Sequence, residues 1–409
     1  MLTKIVVSGG WGYGNLGDEI IAKCTIDLLN RSFPELEKRY TGYDVENFRE
    51  THALPALESV HSVFEKRGYG IKDIAGSVEA PEEFGIGEFA DLLDENTLFL
   101  MSGGGYFDGR WDSQFAARIV EMKLAKKRGA RTAIIGQSIG PLINEQESVL
   151  LREVLGECDF INVRDEDSRA LIALLLPEKR ISCTCDIAVM ISDLLPVQRT
   201  EESGICNLIV QIYTDYVPNG TRVEKNNTLY GKIKKRLLLR QYRYDLAWVR
   251  LLRGIRDNTD YRMRIILNVQ GTKKIGNSHF ERYAEKLRRL SGYREIEIVH
   301  STSLGDFCEK LAVAEVIISC KMHPLIISSS YGVRTFALSQ HYKIDAYMRW
   351  IGREEACCRN NRIKPERTVE QLLKEDAGMQ RKSRELIQCR KQEINQMLEE
   401  LSGLVYDIS

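Results

Sequence analysis

The chain has 409 residues, of which 43% are hydrophobic and 28% are charged, proportions that are typical of a soluble globular protein. Its 58 basic and 58 acidic residues give a formal net charge of zero, so no overall field draws it to nucleic acid or anionic lipid. The length predicts two domains rather than one. No apolar run approaches the roughly 18 residues of a membrane-spanning helix, and the first residues enter a predicted strand directly. Neither a membrane span nor a signal peptide is therefore expected.

Ten cysteines are scattered along the chain. The closest pairs, Cys183 with Cys185 and Cys357 with Cys358, lack the C-x-x-C spacing of zinc sites, and no histidine lies near them. We therefore expect reduced thiols in a cytoplasmic protein, with no metal and no cofactor.

The first half of the chain alternates short apolar strands with amphipathic helices. Strands are predicted at residues 3–8, 98–101, 132–135 and 160–163. Helices are predicted at residues 18–31, 113–128, 145–155 and 166–176. Such alternation predicts a parallel sheet that is covered by helices on both faces.

A second α/β series follows a polar stretch at residues 196–203, which is the predicted linker. Strands are predicted at residues 206–212, 263–269, 296–299, 315–319 and 335–338, with helices at 278–290, 304–314 and 323–331. The sequence thus predicts two Rossmann-like lobes with parallel sheets, residues 1–200 and 204–365, followed by a helical tail at 366–409.

The stretch "GGWGYGNLGDE", residues 9–19, joins the first strand to the first helix and carries five glycines in nine residues. Its spacing satisfies the dinucleotide fingerprint G-x-G-x-x-G. However, Asp18 and Glu19 occupy the first helical turn, where they would repel a pyrophosphate, so NAD is not expected. We expect instead a backbone pocket for a hydroxyl-rich group, with polar contacts near Gly14 from Asn15 and Asp18. Asp18 could alternatively be only the N-cap of the helix.

Two further turns follow predicted strands, "MSGGGYFDG" at residues 101–109 and "GQSIGP" at 136–141. Glycines in such turns let a ligand approach the backbone closely, and ligands bind beyond the carboxyl ends of parallel strands. Asp108 is a candidate to accept a proton from a substrate hydroxyl, or else it is an ordinary loop acid. The residues predicted to contact substrate here are Gly104, Gly105, Gln137 and Ser138.

The stretch "NVRDEDS" ends a predicted strand with Arg164. A guanidinium group in that position suits a carboxylate or a phosphate, because its planar fork can bind two oxygens of one anion. The alternative is an ion pair with Asp165 or Asp167.

The stretch "SCKMHP", residues 319–324, places Lys321 and His323 between a strand and a helix. The positive end of the helix dipole, a lysine charge and a protonatable imidazole together predict an anion site. The other five histidines have no comparable context and are assigned no role.

Residues 222–243 contain eight basic residues and one acid, Glu224, with tyrosines interleaved. Two interpretations stay open for this segment. The segment is either a solvated surface segment, or a surface that binds phosphates or the face of a membrane that carries a lipid-linked substrate. The second interpretation predicts peripheral contact of a cytoplasmic protein with the inner membrane face.

Taken in order, the stretches "GGWGYGNLGDE", "MSGGGYFDG", "GQSIGP", "NVRDEDS" and "ISCKMHPLIISSSYGVRTFALSQHYKID" resemble the successive motifs of the polysaccharide pyruvyl transferase family. The resemblance runs from about residue 5 to residue 352. The resemblance implies a fold similar to that of GT-B glycosyltransferases. It also implies transfer of the pyruvyl group of phosphoenolpyruvate onto a sugar or lipid-linked glycan precursor, commonly as a ketal across two hydroxyls. Such reactions serve the synthesis of surface polysaccharide, including exopolysaccharide.

The resemblance also assigns residues. The Arg-Leu-His motif of the family, taken to bind phosphoenolpyruvate, falls on Lys321, Met322 and His323. The family's strand-end arginine falls on Arg164, and its later lysine falls on Lys343. Lysine at 321 replaces a bidentate fork with a point charge. Two further departures are Arg334 in place of proline and His341-Tyr342 in place of tyrosine-aspartate.

The expected mechanism places donor binding in the second lobe and acceptor binding in the first. Arg164, Lys321 and Lys343 would bracket the donor's carboxylate and phosphate. His323 would donate a proton or stabilise the departing phosphate, and Asp18 or Asp108 would be the base. The alternatives are a GT-B glycosyltransferase that uses a nucleotide-sugar and a binding module without catalysis.

Overall fold

The computed structural model describes residues 2–198, 204–210, 228–267, 274–339, 342–358, 363–374 and 377–406. The chain divides into two compact units, Met1–Leu194 together with Cys389–Ser409, and Leu195–Gln388. The last helix contributes to both units, so the region predicted as a separate tail is shared between them.

The first unit contains an eight-stranded parallel sheet among its described residues. Its strands are β1 (Lys4–Ser8), β2 (Glu37–Gly42), β3 (Leu57–Glu58), β4 (Thr97–Met101), β5 (Gly104–Phe107), β6 (Arg131–Ile139), β7 (Phe160–Val163) and β8 (Ser182–Cys183). They lie in the order β3-β2-β1-β4-β6-β7-β8, and β5 also pairs with β6. The α-helices are α1 (Leu16–Ser32), α2 (Val45–His52), α3 (Val60–Arg67), α4 (Ile74–Glu79), α5 (Gly87–Asp91), α6 (Asp112–Lys127), α7 (Glu145–Gly156), α8 (Glu166–Leu175) and α9 (Ile191–Leu194). Short 3₁₀ helices occur at Ile71–Asp73 and Ile187–Met190.

The central strands of the first unit are buried on both faces, as in other parallel sheets that are covered by helices. All five residues of β4 are buried, and so are four of the five residues of β1. Because β1, β4, β6 and β7 are neighbours and parallel, the loops that follow them lie at one edge of the sheet. This edge carries the predicted site residues of the first unit.

The second unit contains a six-stranded parallel sheet among its described residues. Its strands are β9 (Ile205–Ile209), β10 (Arg262–Ile266), β11 (Glu297–Val299), β12 (Val316–Ser319), β13 (Arg334–Leu338) and β14 (Cys357–Cys358), in the order β11-β10-β9-β12-β13-β14. The α-helices are α10 (Thr228–Asn258), α11 (Lys274–Ser291), α12 (Leu304–Ala312), α13 (Met322–Ser330), α14 (Tyr342–Trp350), α15 (Pro365–Leu373) and α16 (Ala377–Tyr406), with a 3₁₀ helix at Glu354–Ala356. The predicted class, two α/β domains with parallel sheets, is confirmed.

Two predicted turns are in fact strand. The strand β6 continues to Ile139, past the expected end near residue 136, so Gln137 and Ser138 lie inside the sheet. Gly136 makes this continuation feasible, because it adopts a φ of 61° where the pairing of β6 with β7 shifts register. Gly104 likewise begins β5 rather than lying in a loop.

Part of the basic segment 222–243 lies outside the described residues, namely 222–227. From residue 228 onward its backbone belongs to α10. None of the described helices is long and apolar enough to cross a membrane. All ten cysteines lie among the described residues and are free thiols.

Candidate functional site

The glycine-rich turn after β1 is packed against the protein's own atoms. A Cβ atom at Gly9 would collide with the ring of Trp11, which is buried and stacks on Phe48 with centroids 6.0 Å apart. Gly12 has a φ of 87°, and a Cβ there would lie 2.7 Å from the backbone oxygen of Asp44. These glycines are therefore required for close packing and for a left-handed turn.

The second glycine-rich segment meets the first through Tyr106. Its ring lies so close to Gly10 and Gly104 that a Cβ at either position would overlap it. Gly104 was predicted to contact substrate, but its open side is occupied by Tyr106, which is 7% exposed. The glycines at these two positions admit an aromatic ring of the same unit.

Glu19 ties the glycine-rich turn to its surroundings. Its Oε1 atom accepts hydrogen bonds from the backbone N–H groups of Gly12, at 2.8 Å, and of Gly14, at 3.3 Å. Its Oε2 atom lies 2.9 Å from Nε2 of His52, and both side chains are buried. The sequence analysis assigned His52 no role, because nothing in the sequence places the end of α2 beside the start of α1.

Asp18 lies one residue before Glu19 and is half-buried. Asn15, not Asp18, is the N-cap of α1, since its Oδ1 atom accepts from Gly17 N–H at 3.1 Å. Nδ2 of Asn15 donates to Asp18 at 2.8 Å. Burial raises the pKa of the Asp18 carboxyl to about 7, with the charge of Glu19 as the next cause, although Arg164 opposes it. A carboxyl group with this pKa can gain or lose a proton near neutral pH.

Arg164 is buried at the carboxyl end of β7. Its Nη1 atom lies 2.5 Å from Asp186, and its Nε donates to Ser138 Oγ at 2.8 Å. Burial acts to lower the pKa of the guanidinium, but the carboxylates of Asp186 and Asp165 outweigh it and raise that pKa. The alternative of an ion pair with Asp165 or Asp167 thus gives way to a pair with Asp186. In the sequence, the feature that could have indicated the pair of Arg164 and Asp186 is the position of Asp186 just after the short strand β8.

Gln137 and Ser138 are fully buried and bonded within the unit. Nε2 of Gln137 donates to the backbone oxygen of Ser102, and the Ser138 hydroxyl donates to Asp165. Asp165 is in turn the N-cap of α8. Through these bonds the two residues brace the loops after β4 and β7, while Oε1 of Gln137 has no hydrogen-bond partner among the described residues.

Asp108 is also buried and already bound. Its Oδ1 atom accepts from Nε of Arg110 at 2.7 Å and from the backbone N–H of Arg110 at 3.1 Å, and its Oδ2 atom pairs with the same guanidinium. Both oxygens of this carboxylate are therefore engaged by the side chain of Arg110. Of the two candidate bases, the geometry favours Asp18.

An ion pair that the sequence analysis missed lies beneath the glycine-rich turn. Arg118 and Glu121 are both fully buried in α6 and 2.7 Å apart. Arg118 also donates to Ser8 Oγ at 2.7 Å and to the backbone oxygen of Gly9 at 3.1 Å. One feature of the sequence could have indicated this pair. Arg118 is a charged residue three positions after Phe115, on the apolar face of the helix.

In the second unit, Lys321 and His323 lie where β12 leads into α13. Lys321 is the N-cap residue, its backbone N–H donates to Ser319 Oγ at 2.9 Å, and its Nζ lies 5.9 Å from the centroid of Phe280. His323 is the second residue of α13, and Lys343 is the second residue of α14. A lysine and an imidazole at a helix N-terminus that has no acid in its first turn are suited to an anion.

The predicted site residues therefore fall into two groups. Those of the first unit meet at the carboxyl edge of its sheet, and Lys321, His323 and Lys343 belong to the second unit. No cluster of three or more His, Cys, Asp or Glu side chains suited to a metal ion occurs among the described residues.

Comparison with solved structures shows the fold. The chain is similar to UDP-N-acetylglucosamine 2-epimerase from Neisseria meningitidis bound to UDP-GlcNAc, with a TM-score of 0.54, 11% identity and coverage of 96% of this chain and 100% of that chain. It is similar to the UDP-N-acetylglucosamine 2-epimerase from Rickettsia bellii, with a TM-score of 0.52, 13% identity and coverage of 99% and 100%. It is also similar to alpha,alpha-trehalose 6-phosphate synthase from Burkholderia multivorans, with a TM-score of 0.57, 10% identity and coverage of 100% and 99%. These are epimerases and glycosyltransferases of the GT-B type, so the predicted fold is confirmed.

No curated protein matches the sequence. The family model described as polysaccharide pyruvyl transferase, however, matches residues 15–342, more than three quarters of the chain. The matched region begins within the first glycine-rich segment and contains the segment at residues 101–109, Arg164 and the Lys321-Met322-His323 stretch. The protein is therefore an enzyme that belongs to the polysaccharide pyruvyl transferase family.

Proposed function

We propose that this enzyme transfers the pyruvyl group of phosphoenolpyruvate onto two hydroxyls of a sugar, in a glycan or glycan precursor, and forms a ketal. The observation that carries the proposal is the start of α13, where Lys321 and His323 lie at the carboxyl end of β12. The donor has a carboxylate and a phosphate, and a helix N-terminus flanked by a lysine and a histidine attracts such groups.

The reaction needs one proton on the donor and the loss of two protons from the acceptor. The methylene carbon of phosphoenolpyruvate takes a proton and becomes a methyl group, which makes the central carbon electrophilic. Two hydroxyl oxygens of the sugar bond to that carbon, and its bond to the phosphate oxygen breaks. One hydroxyl proton balances the new methyl group, and the other leaves with inorganic phosphate.

Each step has a candidate group in this chain. Lys321 and Lys343 would balance the donor's negative charges, and His323 would supply the proton or stabilise the departing phosphate. Asp18 would accept the proton of the attacking hydroxyl, since its pKa of about 7 lets it hold and release a proton near neutrality. Asp108 is the weaker candidate, because Arg110 already binds its carboxylate.

The acceptor is proposed to bind at the carboxyl edge of the first unit's sheet. Asn15 is exposed and Gly105 is half-buried there, beside Gly14, and these three remain the candidate contacts. For a lipid-linked acceptor, the basic segment 222–243 would add attraction to phosphates or to an anionic membrane surface. A cytoplasmic enzyme with peripheral contact at the inner membrane face fits this assignment.

Thermal unfolding of the pure protein with candidate donors tests the proposal. At a hundredfold excess over its dissociation constant, a ligand adds about 2.7 kcal/mol to the free energy of unfolding. We expect phosphoenolpyruvate to stabilise the protein, and UDP and NAD to have no effect. Stabilisation by UDP without stabilisation by phosphoenolpyruvate would support the nucleotide-sugar glycosyltransferase instead. Phosphate release from phosphoenolpyruvate on addition of a glycan acceptor would then establish the transfer.

A further inference from the structure

Glu19 is surrounded by hydrogen-bond donors. Two backbone N–H groups, of Gly12 and Gly14, point at one carboxylate oxygen, and the imidazole of His52 lies 2.9 Å from the other. An ionised carboxylate accepts hydrogen bonds and donates none, so His52 carries its proton on Nε2. Glu19 is fully buried, which leaves it no surface on which to touch a substrate.

The second nitrogen of His52 reveals the charge of the pair. Nδ1 is buried and has no hydrogen-bond partner among the described residues. In the neutral imidazole this nitrogen is a bare acceptor, whereas in the cation it would be a buried N–H donor without a partner, which is costly. The arrangement therefore fits a neutral His52, and the pair of Glu19 and His52 keeps one full negative charge.

That charge lies next to the Asp18 carboxyl. The other groups that act on Asp18 are Asn15 on the same helix, Arg164 after β7, Asp186 before the 3₁₀ helix Ile187–Met190, and Tyr106 on β5. Arg164 and Asp186 form an ion pair at 2.5 Å and act on the pKa of Asp18 in opposite directions. Asn15 is neutral, and burial raises the pKa of Tyr106 so that its hydroxyl keeps its proton. Glu19 is thus the charged group with the largest effect on the pKa of Asp18, and only burial has a larger effect.

We propose that Glu19 is a positioning residue with two effects: its carboxylate fixes the turn between Gly12 and Gly14, and its negative charge acts on the neighbouring carboxylate of Asp18 and makes it a stronger proton acceptor. His52 supports both effects by binding Glu19 without neutralising it. The catalytic consequence rests on the proposed function, in which Asp18 exchanges a proton with the acceptor hydroxyl. The electrostatic effect on Asp18 does not rest on it.

The test is the substitution Glu19→Gln, which removes the charge but keeps the shape. The amide oxygen can still accept from Gly12 and Gly14, and the amide nitrogen can donate to His52. The titration of Asp18 is followed by NMR of its carboxyl carbon in the free enzyme, with Asp18→Asn used to assign the signal. We expect the pKa of Asp18 to fall by about one pH unit, the size of effect that a nearby like charge produces.

The matched control is Glu65→Gln. Glu65 is a half-exposed carboxylate of the same unit, which accepts hydrogen bonds from Tyr13 and Tyr43. This control should leave the Asp18 titration where it is in the natural protein. An unchanged titration in a folded Glu19→Gln variant, or an equal change in Glu65→Gln, would overturn the proposal.

A second variant covers the case in which Glu19→Gln does not fold. His52→Arg keeps the carboxylate but places a fixed positive charge against it, and we expect the pKa of Asp18 to fall here as well. No change in this variant would equally refute the proposal. The pH profile of kcat/KM separates the effect of Glu19 on Asp18 from the proposed role of Asp18 as the base. If the Asp18 titration moves and the profile does not, the inference about Glu19 holds and Asp18 is not the catalytic base.

Discussion

Two helices of this protein begin directly after a central strand of a parallel sheet, and their first turns are opposite in charge. The helix α1, which follows β1, has Asp18 and Glu19 in its first turn. The helix α13, which follows β12, has Lys321 as its N-cap residue and no acid in its first turn. In α1 the chain's own carboxylates lie at the positive end of the helix dipole, whereas the first turn of α13 has no acid, which suits the external anion of the proposed function.

This difference separates two kinds of chemistry on similar backbones. At α1 the carboxylates are held by backbone amides, His52 and Asn15, and one of them has a pKa that suits proton exchange. At α13 the cationic groups suit the carboxylate and phosphate of the proposed donor. Under the proposed function, the junction at α1 serves the acceptor hydroxyl and the junction at α13 serves the anion, and the charges of the first turn distinguish them. Four experiments test this contrast.

The largest effect is expected from Arg118→Met in the first unit. Removal of one partner from a fully buried ion pair leaves Glu121 charged and uncompensated, which costs about 3–5 kcal/mol in the free energy of unfolding. Urea denaturation measures it. The double variant with Glu121→Met should recover much of the loss, because two apolar side chains replace two buried charges. Equal losses in the single and double variants would show that the pair matters for some reason other than charge.

At the opposite junction, His323→Ala tests the proposed proton donor. Loss of a positioned acid or base lowers turnover by about a hundredfold or more. The affinity for phosphoenolpyruvate should fall less, because Lys321 remains. Steady-state kinetics of phosphate release, together with titration calorimetry of the donor, distinguish the two. Turnover close to that of the natural enzyme would remove His323 from the mechanism and leave proton transfer to the first unit.

The substitution Asp18→Asn tests the raised pKa of the Asp18 carboxyl through the pH dependence of the free energy of unfolding. A carboxyl with a pKa of about 7 in the folded protein and about 4 in the unfolded chain binds more protons when folded, so its contribution to stability declines as pH rises through that range. The asparagine variant lacks this decline. It should gain about 2 kcal/mol relative to the natural protein between pH 5 and pH 8, a figure reduced from the full linkage value because Asp18 is half-buried. Denaturant unfolding at both pH values measures the gain, and a constant difference would place the pKa of Asp18 outside this range.

The smallest effect concerns Lys321, whose charge is one of several at the proposed anion site. Lys321→Ala should weaken phosphoenolpyruvate binding by about tenfold, with little change in turnover. Lys321→Arg should preserve or improve binding, because a guanidinium group can bind two oxygens of one anion. Calorimetric titration with the donor provides the measurement. An unchanged affinity for phosphoenolpyruvate in the alanine variant would show that the donor does not bind at the start of α13.

Much of this protein follows from local patterns in its sequence. Short apolar runs separated by amphipathic helices predict parallel sheets, and the structure has them close to the predicted residues. The positions of Arg164, Lys321 and His323 were also predictable, because each follows a buried strand within four residues, and Asp18 begins the helix after the glycine-rich turn that follows β1. The family was recognisable from the same stretches.

The partners of those residues were decided by the tertiary structure. Arg164 pairs with Asp186 rather than with the adjacent acids, Glu19 binds His52 from another helix, and the ring of Tyr106 on β5 fills the space beside Gly10 in the turn after β1. Each of these contacts joins segments that only the order of strands in the sheet brings together. Residue types and spacing along the chain determined where charged groups leave the strands. Burial and neighbouring charges, which arise when the segments pack, determined which of those groups are neutralised and which can still exchange a proton.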